Sequence, residues 1–97
     1  MRPRSANEWR DFWRDGGELE LRGVLREAWP PLAGAEEATC AWLATRIATL
    51  LGSRAPRRAL VAELGRIRVH ELALDPDEGA DAAAAARIQR WFDAEAA

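Results

Sequence analysis

Apolar residues recur along this chain at spacings of three and four, the signature of helices that bury one face. Trp9, Phe12 and Trp13 open the series as a short aromatic stripe. Ser5-Ala6-Asn7-Glu8 precedes it with capping-box spacing, and Gly16-Gly17 follows as a helix stop. A second helix is expected over about residues 18–29, with Leu21, Val24, Leu25 and Ala28 on one face. Pro30-Pro31 ends it, because proline drives the preceding residue out of the helical region. Residues 32–35 then read as a loop.

The third helix, about residues 36–51, has Glu36 and Glu37 in its first turn, where the helix dipole favours carboxylates. Leu43, Ile47, Leu50 and Leu51 form its stripe, and Gly52 reads as its stop. Pro56 suits the first turn of a fourth helix that reaches about residue 74 through Leu60, Leu64 and Ile67, with Val61 and Leu72 widening the face. Gly65 interrupts that helix, where glycine costs about 1 kcal/mol against alanine, so either a close helix crossing or chance put it there. Asp75-Pro76-Asp77-Glu78 predicts the fifth start, with Asp75 as N-cap, Pro76 at the first helical position and Glu78 at the third. The last helix presents Ala84, Ile88, Trp91, Phe92 and Ala96 on one side, and its Ala82–Ala86 run predicts tight packing. Without an internal repeat or a flexible linker, the expectation is all-α: a small single-domain bundle of about five helices spanning residues 1–97.

Composition supports that class and thins the core. The chain is 48% apolar, yet twenty-one of those residues are alanine, leaving twenty-six larger side chains for five stripes. Val and Ile together number six and Tyr is absent, which favours helix over sheet. All fourteen basic residues are arginine, a bias that accompanies GC-rich bacterial coding. Trp29 and Trp42 lie beside core stripes and are expected to be buried.

Several chemistries lack their parts. The glycines form neither a phosphate loop nor a G-x-S-x-G elbow. His70-Glu71 begins like a zincin motif, but Leu74 stands where the second His belongs, and one His cannot build a multi-histidine site. Cys40 is the sole cysteine, which excludes an internal disulfide and points to a reducing, cytoplasmic setting. A Cys40–His70 nucleophile pair has no supporting spacing. The carboxylates at Asp75, Asp77 and Glu78 are explained by capping, and with Asp81 they lack the remaining ligands of a calcium loop. The expectation is a non-enzymatic protein with no cofactor and no metal. No apolar run approaches the ~20 residues of a membrane span. Arg2 and Arg4 lead into Asn7, Glu8, Asp11 and Asp15, so no signal peptide is expected.

Charge is segregated along the chain, and this gives a functional lead. Residues 38–62 hold Arg46, Arg54, Arg57 and Arg58 and no acid, whereas residues 71–81 hold five acids and no arginine. Arg57 and Arg58 fall in a first helical turn, where the dipole disfavours cations by ~0.3–1 kcal/mol each. Either these arginines pair with the acidic segment of the same domain or they face an acidic partner. Trp9 and Trp13 add an aromatic stripe that either folds over the bundle as a lid or stays open for association. Trp and Arg dominate protein–protein hot spots. The expected partner is therefore another protein, bound through Arg54, Arg57, Arg58, Trp9 and Trp13, in an immunity-like or regulatory role; a homodimer through the aromatic stripe is compatible with this.

A helix-turn-helix is the alternative. Ala48 and Gly52 have that motif's small-residue and turn spacing, and Val61 matches a later apolar position. Arg58 stands where an apolar residue belongs, Pro56 is awkward, and a net charge of −2 disfavours nucleic acid. A small-molecule pocket between the aromatic helices is a third reading.

Residues 21–74 also carry a resemblance. Val24-Leu25-Arg26-Glu27-Ala28-Trp29-Pro30-Pro31-Leu32, Arg46-Ile47-Ala48-Thr49-Leu50-Leu51, Leu64-Gly65-Arg66-Ile67-Arg68 and Glu71-Leu72-Ala73-Leu74 are similar to a family of short uncharacterised all-α bacterial proteins. That family's pattern has a Trp-Asp-Pro-Ile-Gly turn, here Trp29-Pro30-Pro31-Leu32, and an acidic tyrosine motif, here replaced by Thr39-Cys40-Ala41-Trp42. The resemblance implies an all-α fold and brings no catalytic residues.

Overall fold

The computed structural model describes residues 6–95, and the fold is all-α, with no strand among them. Five helices follow one another: α1 (Ala6–Phe12), α2 (Glu18–Ala28), α3 (Glu37–Gly52), α4 (Arg57–Arg66) and α5 (Glu78–Glu95). The proposed Ser5 cap and Ala96 lie outside the described residues. None of the helices is long and apolar enough to cross a membrane, among the described residues.

The core stripes follow the predicted periodicity. Leu21 and Leu25 of α2, Leu43, Ile47 and Leu51 of α3, Leu60 and Leu64 of α4, and Ala84 and Ile88 of α5 are all buried. α2 is central, packing against both α3 and α5, and α5 also packs along α4. Gly65 and the alanine run permit that last approach: a Cβ on Gly65 would lie 3.4 Å from an Asp81 oxygen, and Ala84 and Ala85 are fully buried. Of the two readings of Gly65, a close crossing or chance, the crossing is present.

The junctions differ from the sequence reading. Gly16-Gly17 is a kink and not a stop: a single π-type turn over Trp13–Gly17 links α1 to α2, with Gly16 at φ +131°. Gly17 is buried, and a Cβ there would come within 2.7 Å of the Phe12 ring. Leu32, expected in a loop, is fully buried in a 3₁₀ turn over Pro30–Leu32, closed by the Leu32 and Ala33 N–H groups on the Trp29 and Pro30 carbonyls. Glu36 is the extended residue before α3, outside the helix. Gly52 ends α3 as a helical residue, and the left-handed position passes to Arg54 (φ +60°). The Arg54 N–H reaches the Leu51 carbonyl and the Ala55 N–H the Leu50 carbonyl, which is the paired closure of a Schellman motif.

The fourth helix also ends early. A π-type turn over Ile67–Glu71 widens its last residues, and Ala73 (φ +53°) reverses the chain so that the Leu74 N–H meets the Arg68 carbonyl. α5 begins at Glu78, three residues past the predicted cap. Asp77, not Asp75, is the N-cap: its Oδ1 accepts the Ala80 N–H at 3.0 Å. Trp42 was expected in the core and is instead 39% exposed, with the Arg46 guanidinium 5.5 Å from its ring.

Candidate functional site

The arginine corner is the turn between α3 and α4. Arg54 occupies the Schellman position that glycine normally fills, Pro56 precedes the helix in extended conformation, and Arg57 and Arg58 are its first two residues. All three arginines are exposed. Among the described residues none of them forms an ion pair, so pairing with the domain's own acidic segment does not account for them.

Several of the other charges nearby are paired, although Asp75 and Glu78 have no partner among the described residues. Arg46 donates to Glu63 at 2.9 Å, and Arg66 donates to the same carboxylate at 2.7 Å while also reaching Glu71. The hydrogen bond from Arg66, and then that from Arg46, hold the Glu63 carboxyl below its ordinary range against the opposing effect of partial burial. Of the acidic segment, Glu71 faces Arg66, Asp77 caps α5, and Asp81 is held by Arg68. What remains of the basic stretch is Arg54, Arg57 and Arg58.

Trp9 and Trp13 lie in an aromatic box. α1 folds against the end of α5, so that Trp9 stacks on Phe92 at 5.0 Å and Trp13 on the same ring at 6.0 Å, with Trp91 closing the far side. Every ring of the box is half-buried. This is the lid arrangement, and it joins the two aromatic ends of the chain. Trp13 also lines a groove of about 330 Å³ with Thr45, Thr49 and Gly52 of α3. Gly52 is two residues from Arg54, a distance of at most about 7 Å along the chain. The structure thus brings Trp13 and the arginine corner to one end of the bundle.

The sequence reading missed a buried cluster beneath α4. Asp81 is 2% exposed and Arg68 7%. Asp81 Oδ1 accepts Trp29 Nε1–H at 2.8 Å and Arg68 Nε–H and Nη2–H at 3.0 and 2.9 Å. The guanidinium also lies 5.6 Å from the Trp29 ring. The available signal was register: Arg68 falls four residues after Leu64, and Asp81 three before Ala84 and seven before Ile88, placing opposite charges on two core faces.

Cys40 and His70 differ in burial and partners. Cys40 is buried with its thiol on the Arg22 carbonyl at 3.8 Å, whereas His70 is exposed beyond α4. Among the described residues no group of His, Cys, Asp and Glu side chains is placed to hold a metal ion. The chain matches no family model, no curated protein and no solved structure.

Proposed function

We propose that this chain is a non-enzymatic binding module that docks an acidic surface of another protein on its Arg54/Arg57/Arg58 corner, with the exposed edge of Trp13 beside it. The observation that carries this reading is the corner itself: three exposed arginines, unpaired among the described residues, placed where local physics resists them. A left-handed non-glycine residue costs roughly 1–2 kcal/mol, and two cations in a first helical turn face the positive end of the dipole. A partner carboxylate offsets the second of these terms. An immunity-like or regulatory role is the concrete form of this proposal.

The test uses poly-glutamate as the acidic probe, titrated at low and moderate salt. Wild type is expected to bind with an affinity that falls as salt rises, because exposed charge pairs are screened. The variant Arg54→Gly/Arg57→Glu/Arg58→Glu is expected to lose at least about tenfold. Its first substitution relieves the left-handed strain, so misfolding does not explain a loss. Equal binding by the variant, or no binding at low salt, overturns the proposal. A DNA duplex that binds more tightly than the peptide, and is lost in the same variant, transfers the corner to the helix-turn-helix reading.

A further inference from the structure

A second groove, of about 530 Å³, opens between α4 and the start of α5. Its floor is the Asp81 carboxylate. All three donors that hold this side chain converge on Oδ1; Oδ2 receives no hydrogen bond among the described residues. Oδ2 is the oxygen nearest Gly65, 3.4 Å from where a Cβ there would stand. The missing side chain at Gly65 is therefore the window through which the groove reaches a carboxylate that is otherwise 98% enclosed, since only 2% of Asp81 is exposed.

The rest of the lining sets the ligand's chemistry. Val61, Pro76 and Ala82 give apolar walls, and Asp77 and Glu78 stand at the rim with Arg58 as the one cation. Arg68 behind Asp81 and Arg58 at the rim offset two of the three carboxylates, and the net charge of −1 that remains favours a cation. The volume lies in the range of small-molecule sites, and apolar walls beside a carboxylate suit a cation that carries a carbon chain. We propose that this groove binds an alkylguanidinium or alkylammonium group, which donates to Asp81 Oδ2 through the Gly65 window while its carbon chain lies on Val61, Pro76 and Ala82. The site shares Arg58 with the arginine corner, and that residue distinguishes the two: it attracts the acidic partner and repels this ligand.

The probe is n-butylguanidinium, followed by two-dimensional amide spectra of the whole chain. The Gly65 and Ala82 amides and the Trp29 indole N–H, which shares the Asp81 carboxylate, are expected to shift saturably. Butylammonium is expected to act in the same way. Butanol and butyrate are expected to produce less than about a tenth of the affinity. Gly65→Ala places a methyl group at ordinary contact distance over Oδ2 and is expected to weaken binding at least about tenfold, while alanine suits the helix better than glycine. Glu78→Gln, on the exposed rim, is expected to weaken it a few-fold, and Arg58→Ala to strengthen it. The proposal is overturned by unchanged binding in Gly65→Ala and Glu78→Gln, by equal shifts with butanol, by preferential binding of butyrate, or by weaker binding in Arg58→Ala.

Discussion

Replacing Asp81 by alanine tests whether the buried cluster at Trp29, Arg68 and Asp81 anchors the bundle. The carboxylate is the shared acceptor of three donors from two other parts of the chain: the end of α2 and the turn beyond α4. Its removal leaves the Arg68 guanidinium buried without a counter-charge and the Trp29 indole N–H without an acceptor. Removing one partner of a buried ion pair costs about 3–5 kcal/mol, and the orphaned indole adds to the same loss without being fully additive. Against a total stability of about 5–15 kcal/mol this is a large fraction. Urea unfolding followed by tryptophan fluorescence reads it directly. With a slope of about 1–3 kcal/mol per molar, the midpoint is expected to fall by at least about 1 M. The double replacement Arg68→Met/Asp81→Leu removes both charges and is expected to recover most of the loss, since apolar substitutes of similar size do as well as a buried pair. A loss below about 1 kcal/mol in Asp81→Ala would refute the reasoning, because that is the size of an ordinary surface change. So would a double variant as unstable as the sum of the singles, because it would mean the two charges do not depend on each other.

Glu63 gives a pH-dependent counterpart at the surface. Its carboxyl lies below the ordinary value of 4.5, chiefly through the Arg66 hydrogen bond. Its stabilisation is therefore complete above that value and is shed as pH falls through the lowered one. Glu63→Gln is expected to cost up to about 1 kcal/mol at neutral pH, with the difference shrinking as pH falls below the ordinary carboxyl range in parallel denaturation series. Phe92→Ala removes the ring on which both Trp9 and Trp13 stack, at 5.0 and 6.0 Å. Each such pair is worth about 0.5–1.5 kcal/mol, so amide exchange in α1 is expected to accelerate while that in α3 keeps its protection.

Period was the part of this fold most legible in the sequence. Four stripes of larger aliphatics, in α2 through α5, predicted the buried residues of their helices, because burial of one face is what the spacing records. Register was also present but was overridden by residue type. Trp42, Thr45, Arg46 and Thr49 share the outward face of α3, and hydrophobicity alone put Trp42 inside. Arg68 and Asp81 show the converse: their positions face the core, and charge alone kept them out of it. Ends of helices were legible only where a side chain or ring dictates them. Pro30 ended α2 as expected, whereas the left-handed Arg54 breaks the preference for glycine that the boundary at Gly52 assumed, and Ala73 reverses the chain after α4 without a glycine. The arginine corner was legible as charge segregation. That Arg46 leaves the set was not, because its acceptor Glu63 is the first acid beyond the acid-free stretch and meets it only when α4 folds back along α3.

Left-handed strain by itself does not mark a binding site, and Ala73 demonstrates this. It holds φ +53° with a methyl side chain that has no chemistry to offer, so its conformation serves the reversal between α4 and α5. Arg54 holds the same conformation at φ +60°, in a turn that glycine would close equally well. What separates the two is their company. Arg54 is followed three and four residues on by Arg57 and Arg58, each exposed, each unpaired among the described residues, and each at the wrong end of a helix for its charge. Elsewhere seven arginines are matched, among them Arg22, which bridges Glu18 and Glu37, Arg66, which bridges Glu63 and Glu71, and Arg68, which is clasped by Asp81. Arg10 of α1 and Arg90 of α5 are also exposed and unpaired among the described residues, but the α3–α4 turn gathers three such arginines within five residues of chain and so concentrates positive charge there. That concentration, more than strain or composition, is the physical ground for placing the partner at the α3–α4 turn.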